Sequence, residues 1–505
     1  MKTSSLDWAA KFLRYALLSL GILFVVIYIA VVLLRIRYPF ELEWMEGSEV
    51  DQVQRILNGL KLYVNPTLEF IPLLYTPLYF YVSAMLAKLI GIGLMPLRLV
   101  SFVASVGSFL VIYGLVRWET RNTYAAMLGV GTFAAMFHIS GCWYDIARPD
   151  MLFVFFALLA IYVLRRYDSW LSWVVAGVCI SLSFLTKQTA LIIVIPMGLY
   201  CIYANWRRAI LFIATVVILI GGSTWILNKI HDGWYDFYVF EVPREHYILK
   251  ARYIFFWITD MLNPLPVLCA VTVLYLVQKL TNGVRKEGVF YFLMAAGMVG
   301  AAWSGRLHSG GYLNALLPGY AFMAILFGVA FHQVEGILQG KVSEEQAHSV
   351  AIVRVLVYLV CVAQLAGLMY NPKEQIPTKV DLKAGWELVK MMKSYEGEIY
   401  LPCHGFIPTY AGKKPQAHVA AISDLLRGKE TPIKKQVLEM VKEAIREKRF
   451  QAIFLDKDEY IVDLTQSYTN TGRIFSDYQA FWTVTGAEAR PEFLFLPKES
   501  EQVSK

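Results

Sequence analysis

The chain crowds five carboxylates into positions 41–51: Glu41, Glu43, Glu46, Glu49 and Asp51. A second acidic point lies in Trp143-Tyr144-Asp145-Ile146-Ala147-Arg148-Pro149-Asp150. Cations stand in three short segments. Arg148 precedes Asp150, Lys187 sits in Leu185-Thr186-Lys187-Gln188, and Arg306 and His308 share the stretch 304–312 with Gly305, Gly310 and Gly311. A positioned carboxylate can take the proton of an acceptor hydroxyl. Arg grips a phosphate bidentately and Lys meets it as a point charge. Gathered on one face, these groups suit an enzyme that deprotonates an acceptor and holds an anionic leaving group. Each has a plainer reading. The carboxylates could form a solvated acidic face, Asp150 could complement a helix dipole, and the cations could anchor to lipid headgroups.

The elements that must position these residues are membrane helices. Of 505 residues, 57% are hydrophobic and only 17% charged, where a soluble domain carries about 25% charge. No single soluble core absorbs that excess. Six cysteines, none at metal-ligand spacing, exclude a disulfide scaffold. Apolar stretches long enough for a bilayer lie near 14–34, 96–116, 123–141, 150–164, 170–186, 189–205, 209–228, 253–278, 288–303, 312–332 and 350–370. The first is too long for a signal-peptide core and reads as an uncleaved helix. A twelfth stretch, 76–92, opens with Pro77 and carries Lys88.

Charge orients these spans. If 76–92 lies along the surface, one side collects Lys11, Arg14, Arg117, Arg121, Arg165, Arg166, Arg207, Arg208, Lys279 and Lys286, as the positive-inside rule asks. Arg35 and Arg37 run against it. Eleven crossings then put the N terminus inside and the C terminus outside. Segments 35–95, 142–149, 229–252 and 304–311, with Lys187, share the outer face. Helical spacing of Val50, Val53, Ile56 and Leu57, with Gly59 as a stop, predicts an interfacial helix over 46–58. Charge density rises sharply after Pro372, where the last 133 residues hold 39 of the 86 charged side chains. The expected organisation is a transmembrane catalytic domain, 1–372, and a small extracytoplasmic α/β domain, 373–505. In the latter, helices are expected at 379–395 and 432–448, and strands at 398–402, 451–455 and 493–497. The net charge of +8 is therefore mainly a topology signal, and nucleic acid is not an expected partner.

The ordered motifs resemble a family. The acidic first loop is followed by Tyr75-Thr76-Pro77-Leu78-Tyr79-Phe80, then Arg98-Leu99-Val100-Ser101, Ala147-Arg148-Pro149-Asp150-Met151-Leu152 and Thr186-Lys187-Gln188. Over residues 10–330 this order resembles the GT-C glycosyltransferases, in the branch of aminoarabinose transferases, protein O-mannosyltransferases and Rgt-type lipopolysaccharide sugar transferases. The resemblance implies inverting transfer of a hexosyl or pentosyl group from a polyprenyl-phosphate donor to a lipid, glycan or protein acceptor. The expected place is the outer face of a bacterial inner membrane. It implies a first-loop carboxylate as base. The family's Asp-Glu pair reads Met45-Glu46 here, so Glu46 is the matching residue and Glu43 its substitute, with Asp150 at the second acidic position. The family's basic residue before its Pro-Pro-Leu is replaced by Tyr75 and Thr76, which leaves phosphate binding to Arg148, Lys187, Arg306 or His308. Some members use a divalent metal, and Glu46 with Asp150 is the pair that would hold Mg or Mn. The rival readings are a secondary transporter, a membrane-anchored binding protein working through its tail, and a lipid-linked glycan ligase. The first needs repeats or mid-membrane charge, which the chain lacks.

Overall fold

A computed structural model describes residues 2–281, 285–340 and 344–499. All eleven apolar segments are helical. They begin with Lys2–Arg35, Leu94–Thr120, Thr123–Ala135, Asp150–Arg166, Trp170–Thr186 and Ala190–Ala204. Trp206–Ile230 follows, then Arg285–Leu307, Leu317–Leu338 and Glu344–Ala366. The stretch read as one span, 253–278, is instead broken. Arg252–Leu262 and Pro266–Thr281 meet at 102°, where Pro264 and Pro266 remove backbone donors. By length and composition, six of the described helices can cross a bilayer alone, or seven if the bent pair is one span. Several others, such as Thr123–Ala135, are short and apolar, so the eleven expected crossings are not all matched by full-length helices. Residues 78–90 form a short helix, Leu78–Ile90, at the position expected to lie along the surface.

Small residues bring the first helix in. A Cβ on Gly131 would strike the Gly21 backbone, so Lys2–Arg35 and Thr123–Ala135 cross at backbone contact, as membrane helices do at small residues. Local caps start two of the short apolar helices. Asn122 accepts from the Ala125 amide, and Ser169 with Ser172 forms a capping box.

The tail carries a four-stranded sheet in the order β1 (Ile399–Tyr400), β2 (Ala452–Leu455), β4 (Phe493–Pro497), β3 (Tyr468–Arg473). β1 pairs with β2 in parallel, and the other pairings are antiparallel. Helices Lys379–Ser394 and Pro432–Arg446 cover its two faces. The first loop threads into the same two cores, with Phe40 in one and Leu68 in the other. Pro372 thus marks a change of composition, while packing continues across it.

The expected interfacial helix is Glu46–Leu57. Its Val50 and Val53 are buried, and so are Glu46 and Glu49 on its acidic face. The acidic face is therefore not solvated. It is pressed between the membrane helices and the tail.

Candidate active site

The acidic loop divides into carboxylates that hold the fold and one that faces a cavity. Glu46 belongs to the first kind. Arg98 donates to it through Nε (2.9 Å to Oε1) and Nη2 (2.5 Å to Oε2), and the amides of Leu42 and Ala147 donate at 2.6 Å each. Both residues are fully buried. Burial would raise the Glu46 pKa, but Arg98 and the amides outweigh it and leave it below its ordinary value. Each oxygen already has two donors, so the expectation of Glu46 as base meets a carboxylate fully committed to structure. A buried pair on the other side of the same layer joins Arg35 to Asp145, with Nη2 2.5 Å from Oδ1. It accounts for the Arg35 that ran against the charge rule.

Glu41 ties the first loop to the tail. Its Oε1 accepts the Gly47 amide at 3.0 Å, and its Oε2 lies 2.5 Å from His404 Nδ1. His404 Nε2 lies 3.2 Å from Asp456 Oδ1. A Cβ on Gly47 would come within 2.7 Å of the Phe406 amide nitrogen, so glycine is what lets the two backbones meet. Burial lowers the His404 pKa, but Asp456 and Glu41 outweigh it and raise the value to about 10. A histidine raised in this way stabilises the fold fully below its free value near 6.5, and that contribution is lost as pH rises through about 10. Limited proteolysis of the purified chain should therefore cut the tail increasingly as pH approaches 10, while His404→Ala should be cut readily at neutral pH. Equal protection of the variant at pH 7 would remove this clasp from the account.

Of the five first-loop carboxylates, only Glu43 lines the cavity. The space, about 350 Å³, lies between the first loop, the ends of several membrane helices and the tail. Glu43, Tyr75, Arg148, Lys187 and His308 all face it, along with Trp44, Trp143 and Tyr312. From the tail come Asp424 and Arg427. The segments that charge patterning assigned to one face thus converge on one site. Glu43 Oε2 accepts the Met45 amide at 3.2 Å and lies 4.0 Å from Arg148 Nη1. Burial pushes its pKa up to about 8, against the pull of Arg148. A tail turn closes over it. Gly486 has φ +78°, and a Cβ there would sit 2.6 Å from Glu43 Cγ.

Arg148 is buried beneath the aromatic rings of Tyr75 and Trp143. Its Nη2 donates to the Tyr75 hydroxyl at 2.6 Å, and its Nη1 lies 3.2 Å from Glu49 Oε1. Yet Nε has no partner among the described residues, and Nη1 meets Glu49 and Glu43 only as ion pairs without a hydrogen bond. A buried guanidinium with an idle donor beside a cavity has the chemistry to meet an anion. Glu49, like Glu43, is pushed by burial to about 8 despite Arg148. Lys187 faces the cavity while its Nζ donates to Asp150 Oδ1 at 2.5 Å. Asn314 Nδ2 donates to the same oxygen at 2.9 Å. Asp150 is buried behind the lysine and does not line the cavity; it reaches the cavity only through Lys187. His308 is kept neutral, its pKa lowered by burial and by His246.

Arg306 is placed differently from the expectation. Its Nε and Nη2 donate to Asp260 Oδ2 (2.8 Å) and Oδ1 (3.1 Å), and its Nη1 donates to the Gly311 carbonyl at 2.8 Å. It pins the 304–312 loop to the broken helix and does not line the cavity. Of the expected metal pair, Glu46 has both oxygens occupied by Arg98 and two amides, whereas Asp150 has Oδ1 taken by Lys187 and Asn314 and Oδ2 without a hydrogen-bond partner among the described residues. Among the described residues no group of three or more His, Cys, Asp or Glu side chains could hold an ion.

Sequence reasoning missed Asn314, Asp260, Asp424, Arg427 and the partner role of Arg98. Arg98 had a signal, a charge within an apolar helix. Nothing in the local pattern marks Asp424 as facing a membrane-side cavity.

Comparison with known proteins agrees with this architecture. Residues 75–227 match the family model described as dolichyl-phosphate-mannose-protein mannosyltransferase. An uncharacterized protein of Aquifex aeolicus (strain VF5) is 26% identical over 183 residues, 35% of this chain. The match spans 41% of that relative's length. The crystal structure of ArnT from Cupriavidus metallidurans bound to undecaprenyl phosphate superposes with TM-score 0.56 at 12% identity, over 94% of this chain and 97% of that one. The archaeal oligosaccharyltransferase AglB from Archaeoglobus fulgidus, in complex with an inhibitory peptide and a dolichol-phosphate, superposes with TM-score 0.52 at 13% identity, over 88% and 69%. The chain is an integral membrane protein that shares the fold of ArnT and AglB.

Proposed function

We propose that the protein is an inverting glycosyltransferase that moves a hexosyl or pentosyl group from a polyprenyl phosphate to a lipid, glycan or protein hydroxyl. The reaction is placed on the outer face of a bacterial inner membrane. One observation carries the reading. Glu43, the only first-loop carboxylate at the cavity, shares it with Arg148, whose buried Nε lacks an acceptor among the described residues, and with Lys187. The donor phosphate sits on Arg148 and Lys187, with Tyr75 orienting Arg148 and Asp150 with Asn314 orienting Lys187. The acceptor hydroxyl loses its proton to Glu43 Oε as its oxygen bonds to the anomeric carbon. The bond from that carbon to the phosphate oxygen breaks with inversion, and the lipid phosphate leaves with the electron pair on its oxygen, its charge held by the two cations. Neutral His308 stands ready as a hydrogen-bond partner to the sugar or phosphate. No step in this reading passes through a metal. Undecaprenyl phosphate bound to ArnT and dolichol-phosphate bound to AglB support the donor class.

The test is transfer in proteoliposomes from radiolabelled polyprenyl-phosphate sugars. Lys187→Ala should raise the donor KM by roughly tenfold or more, the scale of one charge-assisted contact, with a smaller effect on the acceptor KM. Asp150→Asn should follow it in the same direction. No transfer by the wild-type chain from any such donor, in the presence of envelope acceptors, would refute the reading.

A further inference from the structure

A second polar cavity lies at the far end of the bundle and takes no part in the chemistry above. It measures about 630 Å³ and is lined by Asp7, Lys11, Arg14 and Tyr15 of the first helix, and by Arg354 and Tyr358 of Glu344–Ala366. The first helix measures its depth. Arg14 and Arg35 are 21 residues apart on Lys2–Arg35, about 30 Å at the helical rise. That is about the thickness of a hydrocarbon core. Since Arg35 belongs to the buried layer beside Glu46, the second cavity stands at the headgroup level of the opposite leaflet.

Its charges do not cancel. Arg14 Nε donates to Glu335 Oε1 at 2.7 Å, and the Tyr358 hydroxyl donates to the same oxygen at 2.5 Å. Arg354 pairs with Asp7 through Nη2, but its Nε is buried with no acceptor among the described residues. Lys11 has no partner among them and is exposed at the rim. Trp8, Phe12 and Tyr15 are exposed along the same turns of helix, as side chains are where a membrane surface begins. A cleft between membrane helices with idle cationic donors at headgroup depth fits a lipid phosphate.

We propose that the Lys11–Arg354 cavity binds the phosphodiester headgroup of an anionic phospholipid in the leaflet opposite the Glu43 cavity. Arg354 Nε and Lys11 Nζ are the donors to the phosphate, and the surplus positive charge selects against choline headgroups. Native mass spectrometry of the full chain, offered equal phosphatidylglycerol and phosphatidylcholine, should show preferential retention of phosphatidylglycerol. Lys11→Ala with Arg354→Ala should weaken that retention by roughly tenfold. Arg117→Ala with Arg207→Ala, which removes two cations from the same end of the bundle, should leave it unchanged. If the double variant does not fold, Lys11→Glu alone, which breaks no pairing among the described residues, should give the same loss. Retention unchanged in these variants, lost equally in the Arg117/Arg207 pair, or equal for both lipids would overturn the proposal. Displacement of the lipid by millimolar inorganic phosphate would overturn it too, by assigning the cavity to a free anion.

Discussion

Glu43→Gln is expected to lower sugar transfer by about 10²–10⁴-fold, the usual contribution of one positioned base, while leaving the chain folded. The same substitution should make the protein more stable at neutral pH. The Glu43 pKa is raised by burial from 4.5 to about 8, so the folded state disfavours the carboxylate. A raised acid costs stability progressively as pH rises from its free value toward its folded value. The neutral amide removes that cost, on the order of 3 kcal/mol at pH 7. Most substitutions at buried polar sites destabilise, so loss of turnover with a gain in melting temperature is a signature that a structural role does not produce.

The pH profile supplies a second reading of the same residue. A base must be deprotonated to accept the acceptor proton, so kcat/KM should climb with pH through an apparent value near 8. Glu43→Asp should keep a climbing profile at reduced rate, because the carboxyl is retained but withdrawn by one methylene. A profile of Glu43→Gln with the same midpoint as wild type would assign the titration to another group. Glu49, also near 8, is the one to examine then, since it reaches Arg148 from behind the cavity.

Much of this site was legible in the chain, and the remainder was not for definable reasons. Apolar length and basic loops located the helices. They also placed Glu43, Arg148, Lys187 and His308 on one face, because bilayer thickness and charge asymmetry act through local sequence. Within the acidic loop, choosing the base was beyond local pattern. Glu46 and Glu43 are both acidic and three residues apart, and what separates them is Arg98, which arrives from 52 positions away. The same holds for Arg306, which looks like a phosphate ligand until Asp260 is seen to hold it. In the tail, β1, β2 and β4 and both covering helices follow from apolar spacing. β3 was missed because Tyr468–Arg473 is an edge strand, exposed and polar beyond its first residue, as edges that avoid aggregation are. The 102° break was missed because apolar content alone does not report a bend.

The Glu46–Arg98 pair should give the opposite signature to Glu43. Both side chains are fully buried and joined bidentately, so removing one partner strands a charge in a low-dielectric layer. Breaking such a pair costs about 3–5 kcal/mol, a large share of a typical total stability of about 5–15 kcal/mol. Glu46→Gln and Arg98→Ala should therefore each cut the yield of monodisperse protein and lower the melting temperature. Whatever fraction folds should keep turnover within about tenfold of wild type, well short of the loss of a base. The double variant Arg98→Met, Glu46→Leu removes both charges, and in other buried pairs such replacement is close to neutral. Here it should recover only part of the stability, because the Leu42 and Ala147 amides lose the acceptor that Glu46 gives them and each buried amide left unpaired costs about 1–3 kcal/mol. Size-exclusion yield and melting temperature, read beside turnover per folded molecule, separate the two carboxylates. A folded Glu46→Gln protein with melting temperature intact and no turnover would return the base to Glu46 and take it from Glu43.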